Sequence, residues 1–233
     1  LGLRDVMDEP HLLAQEWSRK GLVSSLDDLY DAIWVYGLPQ ICDPLEGIGV
    51  SEAVRQKMVY TGYLEARSSE EHGPAAHGEL DSPYVLVTPG GGSDGEALIE
   101  WVLDAYETDP GIPYSALMLF GPFMAKERRA AYAERAERIP KMMTATFESQ
   151  IEKLIEHAHG MVTMGGYNTF CEILSLDKPA VIVPRTEPRL EQFIRADRAE
   201  KLGLTRMLLD PGPDRSAAAM AAIARVERAD QAR

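Results

Sequence analysis

Cysteines and long hydrophobic segments are scarce in this sequence. Only Cys42 and Cys171 occur among its 233 residues, which is too few for a disulfide framework and favours a reducing compartment. No apolar run approaches the roughly 20 residues of a membrane span, and no signal-peptide pattern is present. The sequence therefore predicts a cytoplasmic protein without a transmembrane segment.

Basic residues are scarce as well. The chain has 24 Lys and Arg against 37 Asp and Glu, a formal net charge of -13. Nucleic-acid binding needs clustered cations to neutralise phosphates, so no nucleic-acid partner is expected. A nucleotide ligand stays possible, because the N–H groups of a helix N-terminus bind phosphate without a cationic side chain. The five histidines have no further ligands at a suitable spacing, and no metal site is expected.

The first third of the chain is followed by a polar segment. Residues 1–65 contain short helical stretches and a β-branched, aromatic run from Ala32 to Tyr36 that predicts a buried strand. Residues 66–82 are rich in Ser, Glu, Gly and Pro, which is typical of a linker. The chain opens at Leu1, without an initiator Met, inside sequence typical of a folded protein. We therefore expect a fragment of a longer protein.

Strands and helices alternate regularly after residue 83. Tyr84 to Thr88 and Ala116 to Phe120 read as strands, and an amphipathic helix from Glu96 to Tyr106 separates them. This alternation predicts a doubly wound, parallel α/β sheet. Ligands of such sheets bind beyond the carboxyl ends of the strands, and the glycine clusters at 90–95 and 165–166 follow strands.

The segment from Met161 to Gln192 carries the strongest prediction of a ligand site. Its first strand ends in Gly165 and Gly166, and a helix opens at Asn168. Backbone N–H groups and the helix dipole at such a start attract an anion.

The first glycine cluster admits two interpretations. Gly90, Gly92 and Gly95 spell G-x-G-x-x-G after a strand, but the next strand ends without the acid that would hold a dinucleotide's ribose. A P-loop is excluded because no Lys follows Gly95. What remains is either a tight turn without a ligand or a loop that faces a phosphate or sugar. We favour the second, with Ser93 as a hydrogen-bond donor.

The second glycine cluster and the helix after it also admit two interpretations. Asn168 and Thr169 could simply cap the helix, and Glu172 could be a solvated charge. Against this, Glu191 and Gln192 form a second polar pair after the next strand, from which they can reach the same crevice. A carboxylate can accept hydrogen bonds from two vicinal hydroxyls, which suits a ribose or sugar.

These residues resemble the donor-binding motif of GT-B glycosyltransferases. The similarity lies in Met164 to Glu172, Lys178-Pro179, Pro184 and Glu191-Gln192, and it is greatest to the family of bacterial N-acetylglucosaminyltransferases that form lipid II. The run from Gly91 to Gly95 matches that family's first glycine loop. The resemblance spans about residues 80–226. It implies an acceptor-side remnant at 1–65, a linker at 66–82 and a donor-binding domain at 83–233.

The resemblance also implies a role for each matching residue. Glu172 would hold the ribose hydroxyls, Glu191 and Gln192 would face the sugar, and Phe147 and Glu148 would line the base. The diphosphate would be held by Gly92, Ser93, Gly165, Gly166, Asn168 and Thr169.

Two residues depart from the family pattern. Met164 replaces a His, which removes one diphosphate contact, and Asp177 replaces a Gly, which predicts a differently ended helix.

The activity implied is transfer of a sugar from a UDP-type donor to an acceptor hydroxyl, with inversion and without a metal or other cofactor. The general base belongs to the other half of such enzymes, so no catalytic residue is assigned and the fragment alone is expected to be inactive. The acceptor is unidentified, and any peripheral membrane contact would involve the missing half. Two alternatives stay open, namely a sugar-nucleotide 2-epimerase and a donor-binding subunit that needs a partner chain.

Overall fold

A computed structural model describes residues 1–65, 84–90, 94–146 and 151–209. They divide into two units, the first formed by 1–65 and 185–204 and the second by the described parts of 66–184 and 205–233. The segment 185–204 therefore belongs to the first unit, whereas the sequence placed it in the donor-binding domain. The predicted linker, 66–82, lies outside the described residues, and the predicted domain boundaries stay a prediction.

The first unit contains a three-stranded parallel sheet. Its strands, in spatial order, are β1 (Gly2–Arg4), β2 (Ile33–Tyr36) and β3 (Met58–Tyr60). Its helices are α1 (Pro10–Arg19), α2 (Leu22–Asp28), α3 (Glu52–Gln56) and α8 (Glu191–Lys201). Ile33 packs with Leu13, Trp17 and Leu26 in one apolar core, and Trp34, on the opposite face of β2, is exposed.

The second unit is a six-stranded parallel sheet. In spatial order the strands are β6 (Met142–Thr146), β5 (Ser115–Phe120), β4 (Tyr84–Thr88), β7 (Gly160–Thr163), β8 (Ala180–Ile182) and β9 (Arg206–Met207). Its helices are α4 (Glu96–Thr108), α5 (Lys126–Ala136), α6 (Ile151–His157) and α7 (Tyr167–Ser175). The predicted doubly wound α/β class is confirmed.

Both faces of this sheet are covered. Val85 and Val87 of β4 belong to a core that includes residues of α4 and α5, whereas Leu86 belongs to a core with residues of α6 and α7. Every residue of β4 is buried. A strand buried on both faces carries a continuous apolar run, which explains why the sequence of β4 lacks a polar alternation.

Helix α7 ends as a helix with a C-terminal glycine would, although Asp177 stands at that position. Asp177 follows the helix with a φ of 47°. The N–H of Lys178 donates to the carbonyl of Ile173 at 3.0 Å, and that of Asp177 to the carbonyl of Leu174 at 3.4 Å. This is the Schellman arrangement that glycine usually supports. The expected change of helix ending is therefore wrong.

No helix in the described ranges is as long as a membrane span. None of these helices is both long enough and apolar enough to cross a bilayer.

Candidate functional site

The strand order of the second unit reverses between β4 and β7. These two strands are adjacent, with Thr88 beside Thr163 at their carboxyl ends. From β4 the chain passes to β5 on one side, and from β7 it passes to β8 on the other. The crevice outside such a reversal is where doubly wound sheets bind ligands. Both glycine clusters of the sequence follow these two strands.

The last residue of each central strand is a buried threonine that the sequence analysis missed. Thr163 Oγ1 accepts a hydrogen bond from the N–H of Gly165 at 3.3 Å. Thr88 Oγ1 is buried and has no hydrogen-bond partner in the described part of the chain. A single polar residue at the end of an otherwise apolar strand was the signal that could have revealed them.

Gly165 and Gly166 differ in the space that a side chain would have at each position. Gly165 has a φ of +72°, and a Cβ there would lie 2.6 Å from Cγ2 of Ile182. No side chain fits at this position without displacing Ile182 of β8. A Cβ on Gly166 would meet no atom of the described residues within 4 Å. Among the described residues, nothing therefore covers the start of α7 at this position, and a ligand can occupy it.

Helix α7 begins directly after this open position. Gly166 is its N-cap, and no side chain caps it. Asn168 and Thr169 lie in its first turn, so the interpretation of them as capping residues is wrong. The positive end of the helix dipole is available at the predicted diphosphate position.

Glu172 lies one turn further along α7, and its carboxylate is the most informative group of the site. Its Oε2 atom is buried and has no hydrogen-bond partner within the described residues. Burial, followed by repulsion from Glu152 of α6, raises the pKa of Glu172 to about 7. The alternative of a solvated helical charge is therefore wrong. An acceptor held away from water without a partner is suited to hydroxyl donors from a ligand.

Glu191 and Gln192 lie in the first turn of α8, in the first unit. Both bond to Arg185, whose N–H donates to Gln192 Oε1 at 3.1 Å and whose guanidinium donates to Glu191 Oε1 at 2.7 Å. Glu191 Oε2 is buried without a hydrogen-bond partner among the described residues. One oxygen of each side chain therefore fixes the preceding loop, and the sugar-facing role of the pair stays a prediction.

Four predicted site residues, Gly92, Ser93, Phe147 and Glu148, lie outside the described residues. The ends of the first glycine loop are described. Gly90 has a φ of +86°, and a Cβ on Gly95 would lie 2.4 Å from the carbonyl oxygen of Pro89. Both ends of the loop thus need glycine for backbone reasons alone.

Met164, at the position where the family pattern has a histidine, is buried in the core. It is 6% exposed and packs in the core beneath α4 and α5. Its side chain has no N–H to donate, so the hydrogen bond to the diphosphate that the family pattern implies has no counterpart at this residue.

Neither cysteine has the surroundings of a catalytic nucleophile. Cys171 is buried in α7, and Cys42 is half-buried. Burial, with smaller contributions from Asp5, Glu46 and Asp43, raises the pKa of Cys42 to about 11, so its thiol is neutral at pH 7. Within the described ranges, no group of three or more His, Cys, Asp or Glu side chains could hold a metal ion.

Comparison with sequence families gives one match. Residues 84–212, more than half of the chain, match the model of the glycosyltransferase family 28 C-terminal domain. No protein of curated function matches the sequence significantly.

Comparison with solved structures shows the same fold at low identity. The glycotransferase of kitacinnamycin is 16% identical with a TM-score of 0.63, and the match covers 93% of this chain and 53% of that one. MurG of Acinetobacter baumannii is 13% identical with a TM-score of 0.57, covering 86% of this chain and 54% of that one. VinC, solved in complex with dTDP, is 17% identical with a TM-score of 0.55, covering 82% and 43%. The chain thus spans about half the length of these structures.

Proposed function

The chain belongs to the family of glycosyltransferase family 28 C-terminal domains, and we propose that it binds the nucleotide-sugar donor of a glycosyl transfer. The donor is a UDP-type sugar nucleotide, and it lies at the carboxyl ends of β4 and β7. The binding residues are those that the sequence predicted around the α7 helix start.

The buried Oε2 atom of Glu172, which has no hydrogen-bond partner among the described residues, is the observation that carries this proposal. A buried hydrogen-bond acceptor without a partner lowers the free energy of unfolding, so a residue with a purely structural role is not expected to have one. Two vicinal ribose hydroxyls can donate to one carboxylate and would favour its ionised form. Binding of the nucleoside therefore lowers the pKa of Glu172 from its value of about 7 in the free protein.

The diphosphate binds at the uncapped start of α7. Gly166 leaves this position open, and the N–H groups near Asn168 and Thr169 belong to the first turn. When the sugar is transferred, negative charge develops on the departing diphosphate, and the helix start stabilises it. Gly92 and Ser93 bind the same group, and Phe147 and Glu148 line the base.

The proposed reaction is a single displacement at the anomeric carbon of the donor sugar. An acceptor hydroxyl attacks the anomeric carbon from the face opposite the diphosphate, which inverts the configuration, and no metal is required. Glu191 and Gln192 face the sugar. The group that deprotonates the acceptor lies outside this chain.

Calorimetry with UDP tests the proposal. Glu172→Gln keeps the shape of the side chain but removes its charge, and we expect a loss of about 1–3 kcal/mol in binding free energy, roughly 5- to 150-fold in Kd. Glu156→Gln is the matched control, because Glu156 is an exposed acid on the neighbouring helix. The affinity of this control variant should equal that of the wild type.

Two outcomes would contradict the proposal. One is the absence of UDP binding to the folded wild-type protein. The other is an equal affinity of the Glu172→Gln and Glu156→Gln variants. Parallel titrations with dTDP determine whether the site distinguishes the base, and tighter binding of dTDP would overturn the UDP assignment alone.

A further inference from the structure

Helix α5 carries two sets of cations in different surroundings. Arg128 and Arg135 form ion pairs with acids of α4, and Arg138, which lies just after the helix, pairs with Glu134 of α5. Lys126 and Arg129 have no ion pair or hydrogen bond to any side chain in the described part of the protein. Acids outnumber bases by 37 to 24 in this chain. Two neighbouring cations without an acidic partner are therefore unusual on its surface.

These two cations lie on one face of the helix, beside a cavity. Lys126, Arg129, Ala130 and Ala133 follow the i, i+3, i+4, i+7 spacing of a single helical face. That face and strand β6 line a cavity of about 410 Å³. It is open to the surface, since Lys126, Ala130 and Thr146 are exposed.

The lining of the cavity combines phosphate-binding groups with an apolar floor. Thr144 and Thr146 of β6 and Phe120 at the end of β5 line the cavity together with Lys126 and Arg129, and most of the lining is apolar. An ammonium, a guanidinium and hydroxyl donors together match the oxygens of a phosphate. The volume exceeds that of a phosphate and is in the range of small-molecule sites, so the ligand has an organic part that contacts the floor.

The cavity is separate from Glu172 and the start of α7, and it borders the proposed base site only through Thr146, which directly precedes Phe147 and Glu148. Strand β6 is the outermost strand of the described sheet, two strands away from β4. Helix α5 packs on one face of the sheet, whereas α7 with Glu172 packs on the other. Neither Glu172 nor the glycines that open α7 line this cavity.

We propose that the cavity between α5 and β6 binds a small phosphomonoester. Its phosphate lies against Lys126 and Arg129, and its organic part contacts Phe120, Ala130 and Ala133. This site does not depend on the proposed donor function.

An NMR titration of the labelled protein with phenyl phosphate tests this proposal. The amide signals of Thr144 and Thr146 should shift with saturation, and inorganic phosphate should bind more weakly because it lacks the apolar part. The double variant Lys126→Gln/Arg129→Gln should bind phenyl phosphate at least about tenfold more weakly, because two charged hydrogen bonds are lost.

The control is Lys20→Gln/Arg138→Gln, which removes the same charge from two exposed ion pairs and should bind like the wild type. Equal affinities of the two double variants, or no shift at Thr144 and Thr146, would overturn the proposal. Capture of the protein by phosphatidylglycerol vesicles without any binding of phenyl phosphate would also overturn it. Glu172→Gln should leave this titration unchanged, so failure of UDP binding and failure of this site can be told apart.

Discussion

A buried carboxylate in the first unit and one in the second have opposite surroundings. Asp5 is fully buried and accepts hydrogen bonds from Arg195 at 2.8 Å, from Tyr63 at 2.7 Å and from the N–H of Val6 at 2.7 Å. Glu172 leaves a buried oxygen without any described partner.

The difference separates a structural acid from an acid available to a ligand. A fully bonded carboxylate fixes the elements that it joins, here α8 and the loop after β1. An unsatisfied one lowers stability and is retained where function needs it. Removing the counter-ion of Asp5 and neutralising Glu172 should therefore change stability in opposite directions.

Removing the cation that faces Asp5 should have the largest effect. Arg195→Met leaves a buried carboxylate without its counter-ion, and we expect a loss of about 3–5 kcal/mol in the free energy of unfolding. Urea denaturation measures it. Arg138→Met is the control, because its ion pair with Glu134 is exposed and should contribute at most about 0.5 kcal/mol. Similar losses in both variants would contradict the structural role of the buried pair.

Substitutions of Gly165 and Gly166 should give the next largest effect. They test how rigid the turn is that precedes α7, the helix that carries Glu172. Gly165→Ala introduces a Cβ 2.6 Å from Ile182 at a positive φ, and we expect a loss of about 2–4 kcal/mol. Gly166→Ala meets no atom of the described residues within 4 Å and should cost about 1 kcal/mol or less, mainly through the N-cap preference for glycine. Thermal denaturation compares the two, and an equal cost would mean that the turn can relax.

Neutralising Glu172 should stabilise the free protein, and the gain should depend on pH. The folded-state pKa of about 7 lies above the ordinary value of 4.5, so the protonated form is favoured in the folded protein. The contribution of Glu172 to stability is therefore fully present below about pH 4.5 and is lost as the pH rises through about 7. At pH 8 Glu172→Gln should gain roughly 1–2 kcal/mol, reduced by partial solvent screening.

At pH 4.5 the same substitution should be almost neutral, because the wild-type carboxyl is then already protonated. Denaturation at the two pH values without nucleotide measures this difference. A gain that is the same at both pH values would show that packing, and not the buried charge, is the cause.

The two helix ends that share the Schellman arrangement should give the smallest effect. Asp177 ends α7 and Gly203 ends α8, with φ values of 47° and 73°. Asp177→Gly removes the strain of a side chain in the left-handed region and should gain about 0.5 kcal/mol. Gly203→Asp should lose about as much. Opposite shifts in Tm confirm that the two ends are equivalent, and shifts of the same sign would show that they are not.

The fold of the second unit could be predicted because its strands are continuous apolar runs separated by amphipathic helices. Strand β1 could not be, since its three residues, Gly2 to Arg4, include no β-branched side chain. Its extended form depends on pairing with β2. The pairing of Asp5 with Arg195 was equally out of reach, because no local pattern links positions 190 residues apart.

The candidate site could be predicted in part. The glycines and the spacing of Asn168 and Glu172 indicated a helix start and an acid on one face. The burial of Glu172 Oε2 is set by tertiary packing and was not visible in the sequence. Thr88 was missed because a threonine at the end of a strand is common in any sheet.

The bond between Asp5 and Arg195 has a consequence for how the chain folds during synthesis. Asp5 leaves the ribosome 190 residues before its partner, which corresponds to about 10–40 s at ordinary translation rates. Until α8 emerges, the acid stays hydrated and the elements around β1 lack their final contacts. The unit that begins the sequence is therefore completed only after most of the second unit has been made.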